Sequence, residues 1–399
     1  MAVVDRAEVM PGPGGRAGGP DAPAGRGFPS AAVRSRRVGG LDGLRTLAVG
    51  LVVFYHLGEE RLPGGSVGVD VFFTLSGFVI TRLLIAEYAR TGTLDLAGFY
   101  RRRWRRLVPA LVAVCAVTAV LDLTTSLWGF DGALEAAGLA LVSVVNLVRA
   151  AQPGEYSDLG APLAHTWSLG VEEQFYLAWP LVLLFLLRWL RARTVMIWAA
   201  VLCTLPLVWR FALWGPDAAH RIYNGTDTRA DQLLAGALLA VVLARLRADD
   251  PRLERLRGWA GPMAWSALGV LALVAWRAPV SGDHGWATAA WYTVGFLGVA
   301  VVSAALIAGL ELRPQGTLSR LLSLSPLAWT GRCLSYGMYL WHYPVIRLLA
   351  SLGVDGWWRA MGTVVLTGAA ALASYHLVER RFLRAGGPRS PSSATTRAV

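Results

Sequence analysis

Long apolar runs, separated by short polar segments, fill most of the chain between residues 38 and 384. A helix needs about 20 mainly apolar residues to cross the hydrocarbon core of a bilayer. Eleven runs approach that length, and they cover residues 41–58, 67–86, 107–127, 131–149, 171–190, 194–214, 230–246, 259–277, 286–310, 328–350 and 357–378. The pattern therefore predicts an all-α fold, a polytopic integral membrane helical bundle.

Arginine-rich segments between the runs indicate how the bundle is oriented. They read "RSRR", "YRRRWRR", "RWLRAR", "ARLRADDPRLERLR" and "ERRFLR", and such clusters normally face the cytoplasm. All of them do so only if one run between residues 107 and 190 does not cross. The weakest run is 131–149, which contains Glu135 and Asn146, so we interpret it as a re-entrant or surface helix. About ten transmembrane helices remain, in the cell membrane, with both termini cytoplasmic.

Composition supports the membrane setting and argues against nucleic acid as a partner. Apolar residues make up 55% of the 399 residues, charged residues 16%, and the mean hydropathy is +0.46. The formal net charge is +12, but the cations are arginines clustered between apolar runs, as the positive-inside rule describes. The three cysteines lie inside apolar runs without the spacing of metal ligands, so we expect no metal site.

Two tails flank the apolar region. Residues 1–37 and 385–399 are rich in Pro, Gly, Ala and Ser, a composition that cannot bury enough apolar surface to fold. We predict that both are disordered cytoplasmic tails around a transmembrane domain at 38–384. The sequence has no segment after this domain that resembles a secreted hydrolase, so we expect the membrane core to act alone.

Ionisable residues inside the first run are the main sign of chemistry. Arg45 and His56 are eleven positions apart, which places both on one helix face, roughly 16 Å apart along the axis. One interpretation is that Arg45 reaches to the interface and His56 occupies a polar corner of the bundle. Because each ionisable residue in a span costs roughly 2.5–3.5 kcal/mol, we favour the other interpretation, an internal polar pathway.

The predicted topology sorts the remaining ionisable residues by depth. Arg45 and the arginines of 101–106 lie towards the cytoplasm, whereas His56 lies towards the outer side. The residues expected near the level of His56 are Asp70, His165, Glu172, Glu173, Asp227, Arg229 and Asp231. Individually, Asp70 is compatible with a helix cap, the two glutamates with a first-turn dipole pair and the arginines with a topology anchor.

Several motifs together resemble the acyltransferase-3 family of membrane O-acyltransferases, which includes O-antigen and peptidoglycan O-acetylases and acyltransferases of macrolide sugars. In order along the chain they are "GVDVFFTLSGF", "RRWRRLVPAL", "HTWSLGVEEQFYLAWP", "TDTRADQLLAGALLA", "LSYGMYLWHYPV" and "VER". The resemblance runs from Leu41 to Arg384. It implies transfer of an acyl group, with acetyl favoured, from cytoplasmic acyl-coenzyme A to a hydroxyl of a carbohydrate or glycosylated acceptor, without a permanently bound cofactor.

The resemblance also implies roles for individual residues. Arg102, Arg103 and Arg106 would bind the phosphates of the acyl-coenzyme A co-substrate, and Arg45 would hold the inner end of the channel. His56 would be the general base, oriented by Glu172, with Asp70 as a further member of the catalytic group. The residues assigned to substrate binding are His165, Glu173, Asp227, Arg229, Asp231, Ser335, Tyr336 and His342.

A secondary transporter or exporter of a small molecule or lipid-linked glycan is the alternative function. It would also combine many spans with buried ionisable groups, but the sequence has no inverted repeat and no paired Gly/Pro-broken helices. The identity of the acceptor, the acyl length, the oligomeric state and the presence of an acyl-enzyme intermediate stay open at this point.

Overall fold

The protein is helical throughout the part of the chain that the computed structural model describes, which is residues 28, 37–58, 62–151, 162–278 and 285–384. In chain order the α-helices are α1 (Gly39–Leu57), α2 (Val67–Thr91), α3 (Leu96–Thr124), α4 (Ala133–Leu141), α5 (Val145–Ala151), α6 (Trp167–Trp189), α7 (Ala192–Leu213), α8 (Ala218–Asn224), α9 (Thr226–Arg245), α10 (Pro251–Arg277), α11 (Trp286–Ala290), α12 (Phe296–Leu312), α13 (Thr317–Leu322), α14 (Ser325–Cys333), α15 (Ser335–Ser351), α16 (Gly356–Ser374) and α17 (Arg380–Arg384). The predicted all-α membrane bundle is confirmed. The two predicted tails lie outside the described residues, apart from Phe28 and Arg37.

Eight helical segments in the described ranges are long and apolar enough to cross a membrane. They are α1, α2, α3, α6 with the turn before it, α7, α10, the continuous helix Trp286–Leu312 and the continuous helix Gly356–Leu383. Each matches a predicted span. The other two predicted spans are α9, which carries Asp227, Arg229, Asp231 and Arg245, and α15, which has only 17 residues. The total of ten spans therefore stays a prediction.

The segment predicted not to cross is bent. Helices α4 and α5 meet at 112°, and Ser143 in the bend has a φ of 57°, which is uncommon for a residue other than glycine. At a rise of 1.5 Å per residue, these helices are only about 14 Å and about 11 Å long. Neither alone crosses an apolar core of about 30 Å. This geometry is that of a re-entrant loop or of a broken span.

The centre of the bundle is the contact between α2 and α9. In the apolar 18-residue stretch of α2, 67% is buried inside the protein, compared with 22% of the corresponding stretch of Gly356–Leu383. Glycines allow the two backbones to touch, because a Cβ added at Gly77 would lie 1.8 Å from the Leu233 carbonyl oxygen and one at Gly236 would lie 1.9 Å from that of Thr74. Helices in membranes associate closely through such small residues.

We predict that Gly77→Ala and Gly236→Ala each destabilise the protein, because the added methyl group forces α2 and α9 apart. Overpacking typically costs about 1–3 kcal/mol, and the backbone atoms met here have no rotamer with which to move away. The measurement is the melting temperature of the detergent-solubilised protein. Gly269→Ala in α10 is the matched control, since no atom lies within 4 Å of its added Cβ. Equal melting temperatures for the three variants would contradict the prediction.

Candidate active site

A cavity of about 320 Å³ opens between α2, α3, α6 and α15, with Arg45 of α1 at its edge. Its apolar wall comes mostly from α2. Seven residues selected from the sequence line it, namely Arg45, Arg102, Arg103, Arg106, Glu172, Ser335 and Tyr336. These residues come from four helices and are separated by up to 291 positions in the sequence. The fold therefore brings them together at one cavity.

The cavity lining carries four arginines and a single carboxylate. Arg102 and Arg106 are four residues apart on α3, and Arg103 lies three residues before Arg106, so all three share one face of the helix. The Arg103 guanidinium lies 3.0 Å from the centre of the Tyr176 ring, and Arg45 pairs with Asp42 at 3.1 Å. The excess of guanidinium groups suits a polyanionic ligand.

Glu172 and Glu173 lie with the arginines rather than with His56, which differs from the arrangement expected from topology. Glu172 lines the cavity and interacts with the Ser76 hydroxyl and with Arg103. Glu173 places Oε1 3.4 Å from Arg103 Nη2. Opposite charges attract strongly in a low-dielectric interior, and this attraction holds both carboxylates towards α3.

His56, His165 and His342 form a cluster next to the cavity. The ring centre of His342 lies 5.1 Å from that of His56 and 5.1 Å from that of His165. The three residues belong to α1, to the turn before α6 and to α15. Tyr343 packs against His56 and His165 at 5.1 Å and 5.4 Å between ring centres. The predicted base therefore lies among imidazole and phenol rings.

Hydrogen bonds in this cluster fix the tautomer of His56. Its Nδ1 lies 2.9 Å from the Val52 carbonyl oxygen, and a carbonyl only accepts, so Nδ1 carries the proton. His342 Nδ1 lies 2.6 Å from the Tyr339 carbonyl oxygen and donates for the same reason. His342 Nε2 is then an acceptor, 3.3 Å from His56 Nδ1. In the neutral ring, His56 Nε2 is consequently the unprotonated nitrogen.

Tyr339 and Ser168 connect the histidine cluster to the cavity, and the sequence analysis missed both. Both line the cavity and are hydrogen-bonded to each other. The Tyr339 hydroxyl also lies 2.7 Å from the carbonyl oxygen of His165. The signal was present in "SYGMYLWH", where Tyr336, Tyr339 and His342 recur every three residues and so share one face of α15.

The Ser335 and Tyr336 hydroxyls are already engaged with backbone carbonyls. Ser335 Oγ donates to Gly331 O at 2.6 Å, and Tyr336 Oη donates to Leu107 O at 3.1 Å. Each hydroxyl has only one proton to donate. Both side chains therefore line the cavity without a free hydroxyl proton to donate to a substrate, and their role in substrate binding stays a prediction.

Asp70, Arg229, Asp231 and Asp227 lie in a separate ionic network between α2, α7 and α9. Asp70 pairs with Arg229, and both side chains are at most 2% exposed. Asp231 pairs with Arg210 at 2.7 Å, and both are fully buried. An aspartate that is committed to a buried guanidinium is a poor base, because removing its charge would strand the cation. None of these residues lines the cavity, and the catalytic role of Asp70 and the substrate-binding roles of Asp227, Arg229 and Asp231 stay predictions.

Asp227 lies at the exposed edge of this network, bound to Arg221 at 2.6 Å and to Trp209 Nε1 at 2.7 Å. Arg210, the partner of Asp231, was missed by the sequence analysis. Its position inside the apolar run 194–214 was the available signal, since a charged residue in a span needs a partner.

Within the described ranges, no three His, Cys, Asp or Glu side chains are placed to hold a metal ion.

Comparison with known proteins finds O-acetyltransferases that are similar to this chain. The peptidoglycan O-acetyltransferase OatA of Listeria monocytogenes is 34% identical over 357 residues, which cover 87% of this chain and 56% of that protein. The O-acetyltransferase OatA of Staphylococcus aureus is 34% identical over 361 residues, covering 88% of this chain and 58% of that protein. The chain thus spans little more than half the length of these relatives. No solved structure matches it.

The family comparison covers most of the chain. The stretch from residue 38 to residue 377 matches an acyltransferase domain, and this stretch includes the arginine-lined cavity and the histidine cluster. The chain therefore belongs to the acyltransferase-3 family.

Proposed function

We propose that this chain is a membrane O-acetyltransferase that takes an acetyl group from acetyl-coenzyme A on the cytoplasmic side and transfers it to a hydroxyl of a cell-wall carbohydrate. The observation that carries the proposal is the cavity in which four arginines meet, next to a histidine whose Nε2 is unprotonated in the neutral ring. The names of the two OatA relatives support O-acetylation, and that of the Listeria protein supports peptidoglycan as the acceptor class.

The arginines are the proposed donor site. Coenzyme A carries a pyrophosphate and a 3′-phosphate, and guanidinium groups bind phosphate oxygens through paired, charge-assisted hydrogen bonds. Arg102 is exposed, with 61% of its side chain accessible. It would meet the phosphates first, while Arg103 and Arg106 hold the part of the donor that enters the cavity. The apolar α2 wall then faces the pantetheine chain.

The acceptor hydroxyl is the proposed nucleophile. His56 Nε2 takes the proton of this hydroxyl while the hydroxyl oxygen bonds to the thioester carbonyl carbon. The carbon–sulfur bond then breaks, the ester is released and the proton on His56 passes to the coenzyme A thiolate. The Val52 carbonyl and His342 keep the His56 proton on Nδ1, so that Nε2 stays available. In this scheme His342 is a positioning residue, and Tyr339 and Ser168 line the way between donor and base.

We predict that His56→Ala reduces acetyl transfer by about 10²–10⁴-fold, the usual contribution of general-base assistance. The measurement is the rate at which the purified protein, reconstituted in liposomes, moves radiolabelled acetyl groups from acetyl-coenzyme A to a soluble glycan fragment. His376→Ala is the matched control, because His376 is exposed on the last long helix and should keep full activity. Near-normal transfer by a well-folded His56→Ala protein would contradict the assignment.

We predict that Arg103→Gln and Arg106→Gln each weaken acetyl-coenzyme A binding by about tenfold, the loss expected for a hydrogen bond to a charged group. The difference from the unmodified protein should shrink as salt increases, because ions screen the same attraction. The measurement is the dissociation constant by calorimetry in detergent. Arg101→Gln and Arg105→Gln are matched controls from the same cluster, since neither residue lines the cavity. Equal losses in all four variants would indicate a general charge effect and no donor site.

The cytoplasmic position of the donor site gives a topology prediction. In a background without Cys115, Cys203 and Cys333, a cysteine at Asp217, between α7 and α8, should react with a membrane-impermeant maleimide added to intact cells. A cysteine at Asp249, between α9 and α10, should react only after the membrane is opened. Both positions are exposed. The reverse pattern would place the arginine cavity on the outer side and contradict a cytoplasmic donor.

A further inference from the structure

A second cavity, of about 210 Å³, lies away from the candidate active site. It is formed by α10 around Ala260 and Trp265, by the end of α12, and by the segment from Arg313 to Arg320 that includes α13. Helix α13 packs against the start of α1, because a Cβ added at Gly43 would lie 1.9 Å from the Leu322 carbonyl oxygen. The cavity is therefore at the same end of the bundle as Arg45, the end that we assign to the cytoplasm.

One side of this cavity is lined by positively charged side chains. Among the described residues that line it are Arg313 and Arg320 and no carboxylate. Arg313 Nη1 lies over α10, 3.2 Å from where a Cβ of Gly261 would be. Ser319 also lines the cavity, but its hydroxyl faces the start of α1, where a Cβ added at Gly40 would lie 2.6 Å from the Ser319 Oγ. The groups of this cavity that can bind an anion are therefore the two guanidinium groups.

The other side of the cavity is apolar and lies at the depth of a membrane interface. The first two turns of α10 are polar, "PRLERLRG", and the apolar part begins at Trp259. Trp259 and Trp265 are 71% and 47% exposed, and tryptophan is enriched at the headgroup level of membranes. Ala260, Ala264 and Leu310 continue the lining from there towards the apolar core. Basic pockets between membrane helices on the cytoplasmic side are typical sites for anionic headgroups.

We propose that this second cavity binds an anionic phospholipid of the cytoplasmic leaflet, with its phosphate held by Arg313 and Arg320. The glycerol and the upper acyl chains lie against Trp265, which is 47% exposed. A soluble phosphate would satisfy the arginines but would leave this apolar side unused. The site is independent of the acetyl-transfer chemistry, and its contact with the start of α1 gives the bound lipid a means of stabilising the end of the helix that carries Arg45.

The first test uses the full-length protein in a neutral detergent, titrated with phosphatidylglycerol, phosphatidylcholine or inorganic phosphate. Phosphatidylglycerol should bind saturably by native mass spectrometry and raise the melting temperature, whereas the other two probes should do so at least about tenfold more weakly, given the strength of charged hydrogen bonds. An equal response to inorganic phosphate would identify a free-anion site, and an equal response to phosphatidylcholine a nonspecific lipid surface. Either result would overturn the proposal.

The second test uses variants. The double variant Arg313→Gln, Arg320→Gln should lose at least about tenfold in phosphatidylglycerol affinity, whereas Arg313→Lys, Arg320→Lys should keep most of it, since a phosphate also accepts an ammonium. Arg252→Gln, Arg255→Gln on the exposed start of α10 removes the same charge outside the cavity and should leave the affinity unchanged. Unchanged binding by the Arg313→Gln, Arg320→Gln variant would overturn the proposal.

A third test needs no variant. Phosphatidylglycerol with a photoreactive group near its headgroup should crosslink the unmodified protein at α13 or at residues 313–316. Crosslinks found only elsewhere would overturn the proposal even if the glutamine variant failed to fold.

Discussion

The close contact of α2 with α9 is the constraint on which the candidate site depends. Gly77 and Gly236 bring the two backbones together, and the buried Asp70–Arg229 pair joins the same helices nearer their N-terminal ends. A buried ion pair contributes little net stability but is costly to break, because the remaining charge has no water around it. The pair therefore enforces one register of α2 on α9. Since α2 supplies Phe72, Phe73 and Ser76 to the cavity, this register also determines the shape of the cavity.

The sequence predicted much of the fold because hydropathy reports directly on what a bilayer accepts. The positions of the spans and the selection of His56 as an ionisable residue within a span followed from the same principle. The partners did not follow, because hydropathy and the positive-inside rule give the depth of a residue and not the direction in which its helix faces. His56 meets His342 across 286 positions, and Asp70 meets Arg229 across 159. Residues predicted at equal depth thus lie in two separate groups, the histidine cluster and the ion-pair network.

The bent segment formed by α4 and α5 also shows that hydropathy does not identify the partners of a polar residue. Asn146 counted against a spanning helix because its amide is costly in lipid. In the structure this amide is buried and satisfied, with Nδ2 donating to Thr226 Oγ1 at 2.8 Å and Oδ1 accepting from Gln174 Nε2 at 3.0 Å. Its contribution is to fasten α5 to α6 and α9. Hydropathy measures the free energy of transfer into hydrocarbon. The stability of a polar residue inside a bundle depends instead on the hydrogen bonds that it forms there.

The surroundings of His56 impose a condition on the proposed chemistry. In many hydrolases a carboxylate orients the catalytic histidine and stabilises the imidazolium that forms during the reaction. Glu172 was expected in that position, but it lies beside Arg103, and the orienting groups of His56 are a carbonyl and a second neutral imidazole. Both groups accept the Nδ1 proton, yet neither supplies a full negative charge. The imidazolium would therefore be short-lived, and its proton would have to move on to a nearby acceptor. The departing coenzyme A thiolate is such an acceptor, so bond breaking and proton return would be closely coupled in this site.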